Sequence, residues 1–283
     1  MRIIIKLLYV IILFINKLLA IFNKKHFKFR IYEKLRNNYH ILDYREKKII
    51  FFTPSLTSYR RAENIFNHEP ETIEWIKSFR ADDNKEIVFW DVGSCVGQFS
   101  ILACLHHGNI KVCSFEPSTK NLNLLSTNIS LNKLEKKIVL CPYPLSDKSH
   151  QINHMVEKVN EEGKASNSFE TNNVQEKRYK YSTIGYSADF LIKNNILKSP
   201  KYLKIDTDGH EKNIINGSIN LIKSGNLKEI QVELTDGTND AEYCINLLNQ
   251  NKFKLIKKFR EKKYENIEKH IKLFNFRFKK IDE

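Results

Sequence analysis

The sequence predicts an α/β fold, a mostly parallel, doubly wound sheet preceded by an apolar helix. Three observations carry this. Short apolar runs that end in an acid recur along the chain: Ile87 to Trp90 before Asp91, Lys111 to Phe115 before Glu116, Tyr202 to Ile205 before Asp206, and Glu229 to Leu234. Segments of helical spacing lie between them, such as Phe99, Ile101, Leu102 and Leu105, or Ile214, Ile215, Ile219, Leu221 and Ile222. A glycine turn, Asp91-Val92-Gly93-Ser94-Cys95-Val96-Gly97, joins the first such strand to its helix. Repeated β-α units of this kind place a ligand crevice at the carboxyl edge of a parallel sheet.

Residues 1–30 form the first expected unit. The stretch from Ile3 to Phe22 is the most apolar of the chain, interrupted by Lys6, Asn16 and Lys17. At 100° per residue, Arg2, Lys6, Lys17, Lys24 and Lys28 fall near one helical line. That pattern predicts a helix lying in a membrane interface with its basic side toward the headgroups. The alternatives are a single-pass anchor, whose basic flank from Asn23 to Arg30 would keep the following domain cytosolic, and a helix packed on the protein's own core. No small-x-small site for signal cleavage follows. Residues 31–86 are the second unit, an extension or cap, with a strand at Ile49 to Phe52, a polar stretch, and helical spacing at Ile73, Ile76 and Phe79 beside Trp75.

Residues 87–283 are the third unit. After Asp91 and Glu116 come a strand at Lys137 to Cys141, then a polar region from 147 to 181 that reads as a long loop or small hairpin of the sort that makes lids. A short helix around Ala188 to Ile192 precedes the strand ending at Asp206. One helix through Ile214 to Ile222, the strand to Leu234, a helix through Cys244 to Leu248, and closing strands at Lys254 to Phe259 and His270 to Phe278 complete the reading.

The chain has 283 residues, 41% of them apolar, enough for a sizeable core. Its five cysteines, Cys95, Cys104, Cys113, Cys141 and Cys244, never form Cys-x-x-Cys, so a reducing compartment is expected, with neither a disulfide framework nor a metal finger. The formal charge of +14 is spread along the length. It reads as solvated lysine faces or an affinity for an anionic surface, and no nucleic-acid partner is expected.

The glycine turn and the second acid narrow the ligand. A dinucleotide site needs Gly-x-Gly-x-x-Gly and a triphosphate site needs Gly-Lys-Ser/Thr; here the order is Asp-x-Gly-x-x-x-Gly. Asp91 would repel phosphate and attract an ammonium group. Glu116, about 25 residues on at the end of the next strand, suits the two hydroxyls of a ribose. A cationic amino-acid end and a ribose without phosphate describe S-adenosyl-L-methionine.

At this point the sequence resembles the FkbM family of S-adenosylmethionine-dependent methyltransferases, from about residue 53 to 258. The matching segments are His68 to Ile76, Asp91 to Gly97, Ser114-Phe115-Glu116-Pro117, Leu145-Ser146-Asp147, Leu203 to Glu211, and Val232-Glu233. The string Lys204-Ile205-Asp206-Thr207-Asp208-Gly209-His210-Glu211 is the most specific. Where similar proteins carry Asp-Ile-Gly-Ala-Asn-x-Gly, this chain has Ser94 and Cys95 at the Ala-Asn positions, and cysteine donates hydrogen bonds poorly. The resemblance implies a Rossmann-like class I methyltransferase fold and O-methylation of a hydroxyl on a sugar, glycan, glycolipid or related natural product.

By the resemblance, Asp91, Gly93, Ser94 and Gly97 hold the methionine end of the cofactor, Glu116 takes the ribose and Asp147 accepts from the adenine amine. Asp206, Asp208, His210 and Glu211 converge where the acceptor should lie, with Asp206 leading for acceptor positioning or base and His210 second, since its ordinary pKa suits base work near neutrality. His210 also reads as a surface histidine at a helix start, and Glu211 as an acid favoured by a helix N-terminus. No metal ligand is assigned, although Asp206, Glu233 and Asp236 carry oxygens of the kind Mg²⁺ takes. Arg60, Arg61, Glu69 and Glu71 read equally as an ion-paired cap over the site or as a solvated helix start. Two other functions compete: a nucleic-acid methyltransferase, which would show an Asn/Asp-Pro-Pro-Tyr/Phe-like site that Cys141-Pro142-Tyr143-Pro144 does not match, and a non-catalytic membrane-bound module with a degenerate fold.

Overall fold

The structure, a computed structural model, describes residues 1–22, 26–82, 85–157, 159, 161–165, 167–170, 179–260 and 272–281. It opens with two helices, α1 (Arg2–Ile21) and α2 (Phe27–Arg36). They contact each other, and the Lys28 backbone N–H donates to Asn16 Oδ1 at 3.1 Å. No residue of α1 is buried, and Ile3, Leu7, Phe14 and Leu18 lie exposed along one side of it. Lys24 and Lys25 fall outside the described residues.

A hairpin, β1 (Tyr39–Tyr44) and β2 (Lys47–Phe52), comes next, followed by α3 (Leu56–Glu63), α4 (Ile65–His68) and α5 (Pro70–Lys77). The stretch that read as merely polar is therefore helical. Ser55 and Ser58 form a reciprocal capping box at the start of α3, a local signal that competes well with loop formation.

The body is a seven-stranded sheet. Its strands and helices in chain order are β3 (Ile87–Val92), α6 (Gln98–His106), β4 (Ile110–Phe115), α7 (Thr119–Leu131) and β5 (Ile138–Cys141). An inserted three-stranded antiparallel sheet follows, β6 (Gln151–Glu157), β7 (Ser168–Glu170) and β8 (Tyr179–Gly185), in the order β7-β6-β8. Then come α8 (Ala188–Lys193), β9 (Tyr202–Ile205), α9 (Glu211–Asn216), α10 (Ile219–Lys223), β10 (Glu229–Thr235), α11 (Asn239–Gln250), β11 (Phe253–Phe259) and β12 (Leu273–Lys280). The spatial order is β11-β12-β10-β9-β3-β4-β5, with only β12 antiparallel to its neighbours. This is the mostly parallel, doubly wound sheet that the sequence predicts.

Alternation along each strand explains the continuous apolar runs. Val88, Trp90 and Val92 enter one buried cluster with α8 to α11, while Ile87 and Phe89 enter another with α5 and α6. Strands buried on both faces need apolar residues at every position. The open edge of β2 is satisfied by α7: Asn128 Oδ1 accepts from the Phe52 N–H at 2.8 Å and Asn132 Oδ1 from the Ile50 N–H at 3.0 Å.

Two expectations change. The polar region from 147 holds the small antiparallel sheet, a larger structure than a loop or hairpin; Asn172 and Asn173 lie outside the described residues. The single helix expected from Ile214 to Ile222 is broken at Gly217 and Ser218; the chain there runs so close to Ser146 that a Cβ on Gly217 would sit 2.0 Å from its carbonyl oxygen. The backbone bends there to pack against the end of the strand-to-insertion link. Of the expected last strand, residues 270 and 271 lie outside the described residues.

Candidate active site

Strand order reverses between β3 and β9, and at that point a crevice opens outside the carboxyl ends of a parallel sheet. A cavity of about 190 Å³ lies there. Its walls come from the glycine turn, the ends of β4, β9 and β10, the helical cap at Arg61, His68 and Glu69, and the insertion at Met155, Lys164 and Phe169.

The glycine turn is fixed by packing. Gly93 has φ 85°, and a Cβ there would fall 1.8 Å from the Asp206 carbonyl oxygen, so only glycine lets the turn meet the end of β9. Gly97 has φ 84° at the start of α6 and lies behind the turn against Leu125. The Gly93 and Ser94 N–H groups both donate to the Phe115 carbonyl at 3.0 Å. Ser94 Oγ donates to the Asp91 carbonyl at 2.6 Å. Cys95, with φ 50°, gives its N–H to Glu116 Oε2 at 2.8 Å, while Glu116 Oε1 accepts from the Ser118 N–H at 2.8 Å. Burial pushes Glu116 up to about 7 against these donors. Burial also pushes the Cys95 thiol up to about 11, which leaves it no thiolate to act as a nucleophile at neutral pH.

Asp91 sits beneath the turn and does not line the cavity. Its Oδ2 accepts from Ser100 Oγ at 2.6 Å, and its Oδ1 is buried without a hydrogen-bond partner. Asp147 stands exposed at the rim, accepts from Ser146 Oγ at 3.1 Å and does not line the cavity, whereas its neighbours Pro144 and Leu145 do.

The end of β9 carries the densest charge. Lys204 is almost wholly buried, its Nζ 2.7 Å from Asp206 Oδ2 and 5.0 Å from the centre of the Phe99 ring. Burial would lower the Lys204 pKa, but the charges of Asp206, Glu69 and Asp91 outweigh it and hold the ammonium above its ordinary range. Burial would raise Asp206, but Lys204 and a hydrogen bond from Glu233 hold that carboxyl below its ordinary value. Glu233, on the neighbouring strand, is pushed well up by burial and by the charges of Asp206 and Glu69. It hydrogen-bonds the Asp206 carboxylate, and the two titrate as a pair. Asp236 is elsewhere, paired with Lys258 at 2.8 Å.

The other acceptor-side residues separate into two groups. Asp208 (φ 56°) and His210 line the cavity. His210 has its Nε2 3.3 Å from Ser146 Oγ and its Nδ1 3.3 Å from Asn213 Nδ2, and burial pushes it down to about 4, so it is neutral at pH 7. Glu211 does not line the cavity. Its Oε1 accepts from the Thr207 N–H, the Thr207 hydroxyl and the Gly209 N–H at 3.0, 3.0 and 3.1 Å, and so shapes the loop that carries Asp208.

Sequence reasoning did not assign Lys204 or His68 a site role. The signal for Lys204 was a lysine inside an apolar strand, a place where charge is tolerated only beside opposite charge. Glu69, left open between cap and solvated helix start, is buried at the cavity wall. A strap from residues 161 to 165 completes the wall. The Gly163 carbonyl accepts from Arg61 Nε at 2.6 Å, the Gly163 N–H donates to Asn121 Oδ1 at 3.0 Å, and Glu162 pairs with Arg36 of α2.

The donor set fits an adenosyl cofactor with a cationic end. A carboxylate stands where the hydroxyls of a ribose would donate to it, Phe115, Leu145 and Met155 offer an apolar slot, and the far end is rich in acids.

Comparison with known proteins agrees. The methyltransferase FkbM domain family matches residues 91–277. The hexuronic acid methyltransferase AglP of Haloferax volcanii is 25% identical over 163 residues, which cover 56% of this chain and 60% of AglP. The chain thus matches less than two thirds of that relative's length. Among solved structures, methyltransferase FkbM of Methylobacillus flagellatus superposes with a TM-score of 0.45 at 12% identity, covering 77% of this chain and 60% of that one. The fibrillarin pre-rRNA processing protein of Methanococcus jannaschii does so with 0.46 at 11%, covering 87% and 84%.

Proposed function

Because this chain belongs to the FkbM family and is an S-adenosylmethionine-dependent methyltransferase, we propose that it O-methylates a hydroxyl group of a sugar, in a glycan, glycolipid or related natural product. The observation that carries the proposal is one cavity with a ribose-type carboxylate, Glu116, at one end and hydroxyl-binding acids, Asp206 and Asp208, at the other. The hexuronic acid methyltransferase relative supports a sugar acceptor.

The cofactor supplies a methyl group already activated on a sulfonium. The protein's task is to align an acceptor oxygen with it. Glu116 holds the ribose, the turn at Gly93, Ser94 and Gly97 bounds the methionine end, and Asp91 adds negative charge from below. Asp147, expected at the adenine amine, stands exposed outside the cavity, so Pro144 and Leu145 bound the adenine end. Asp206 accepts the acceptor's hydroxyl proton in a hydrogen bond and directs the oxygen. Its low pKa makes it better at orienting than at removing the proton. His210, neutral at pH 7, is the second proton acceptor, Asp208 a further ligand to the acceptor, and Glu211 the clamp beneath them.

We further propose that α1 attaches the protein to the cytoplasmic face of a membrane. The helix is long and apolar enough to cross a bilayer, none of it is buried, and its Lys6 and Lys17 lie near one line; Lys28, expected on the same line, belongs to α2.

The test is a screen of glycan and lipid extracts with a radiolabelled methyl donor. Asp206→Asn is expected to bind cofactor as the parent does and to lose about 10²-fold or more of transfer; His210→Ala loses less. Undiminished transfer in Asp206→Asn beside collapse in His210→Ala would move the leading role to the histidine.

A further inference from the structure

We propose that Glu69, supplied by the cap between α4 and α5, is a specificity residue that reads the positive charge of the methyl donor and so separates donor from spent product. The inference rests on the cofactor reading and adds to it a residue to which that reading gives no role.

Glu69 is 5% exposed and lines the cavity with Lys204, Asp206 and Glu233. Its Oε2 accepts from Thr72 Oγ at 2.7 Å, and that hydroxyl accepts in turn from Gln231 Nε2 at 2.7 Å. Gln231 also lies 3.2 Å from Asn275 Oδ1. A relay through two sheet strands thus fixes the carboxyl group. Glu69 Oε1 accepts no hydrogen bond among the described residues, and burial holds the carboxyl above its ordinary value against the pull of Lys204.

The other charges at this end are already matched. Lys204 is bound to Asp206 at 2.7 Å, and Asp206 is shared with Glu233. One buried ammonium faces several carboxyl groups, so the end has room for another cation.

S-adenosylmethionine and S-adenosylhomocysteine share their ribose, adenine, ammonium and carboxylate. They differ by one methyl group and one positive charge. Contacts at Glu116 or the glycine turn therefore cannot tell them apart electrostatically, whereas an ionised carboxylate held near the sulfur can. A cation brought beside Glu69 also favours its ionised form. Once the methyl group has gone to the acceptor, the sulfur is a neutral thioether and this attraction ends, which favours product release.

The experiment is calorimetric titration of the full chain with S-adenosylmethionine and, separately, S-adenosylhomocysteine, at about pH 8, for the parent, Glu69→Gln, Glu69→Asp and Glu74→Gln. Glutamine keeps the acceptor for Thr72 but carries no charge. The expected result is unchanged affinity of Glu69→Gln for S-adenosylhomocysteine with about tenfold weaker binding of S-adenosylmethionine. Glu69→Asp recovers most of the preference, and Glu74→Gln, at an exposed acid of the same helix, matches the parent. An unchanged donor-to-product ratio in Glu69→Gln overturns the proposal. So does an equal loss for both ligands, which would make Glu69 a structural support of the pocket.

Discussion

Replacing Lys204 by methionine removes the buried cation of the site while keeping the length of the side chain. In the parent, its ammonium is 1% exposed, lies 2.7 Å from Asp206 and faces Glu69 and Asp91. Removing one member of such a pair strands the other, at a typical cost of about 3–5 kcal/mol. Methionine recovers part of this through its contact with Phe99, so about 2–4 kcal/mol is expected near neutrality. That is a large share of the roughly 5–15 kcal/mol that holds a domain together. The sign of the pH dependence follows from Asp206. Its folded pKa is depressed below the ordinary aspartate value, so its contribution is present above that value and lost as pH falls through the folded pKa. Without Lys204 the stranded carboxyls take up protons on folding, so the cost of the substitution grows as pH rises above about 5 and shrinks toward acid. Urea unfolding of parent and variant at about pH 5 and about pH 8 measures it. A cost below about 1 kcal/mol, or one equal at both pH values, would refute the view that Lys204 neutralises this cluster.

Two further outcomes follow from the same geometry. Glu116→Ala weakens both S-adenosylmethionine and S-adenosylhomocysteine by about 1–3 kcal/mol. In the parent, affinity falls as pH drops below about 7, where Glu116 takes a proton and stops accepting from two hydroxyls at once; calorimetry across that range reports it. Full-length protein sediments with vesicles containing anionic lipid, and Lys6→Glu with Lys17→Glu releases it; added salt weakens a helix lying in the interface and scarcely affects one that spans.

The parallel sheet was legible because its strands are short, apolar on both faces and end in acids. Val88, Trp90 and Val92 read from sequence as they pack. Glu116 could be placed because a strand end fixes both position and direction. Lys204 could not be valued in the same way, because a lysine in a strand looks like surface until the acids around it are known. Those acids come from residues 69, 91, 206 and 233, and no local pattern links them. Gly217 shows the same limit: its need for glycine comes from the Ser146 carbonyl, which lies against it from far earlier in the chain. Asp147 and Glu211 illustrate another. Glu211 opens α9 and Asp147 lies in the link between β5 and β6, yet one is turned under the loop and the other stands exposed.

The cap shares its interior with the sheet. Ile73, Trp75, Ile76 and Phe79 belong to the cluster that holds Phe89 and Ile101, and Trp75 Nε1 donates to Glu229 Oε2 at 2.7 Å. The matched family domain begins at residue 91, but the stretch that must fold together begins well before it. A fragment trimmed to the matched part would present to water the face that Trp75 covers, and would lose Glu69 with it. Family likeness and cooperativity draw different borders on this chain, and an expression fragment should respect the second.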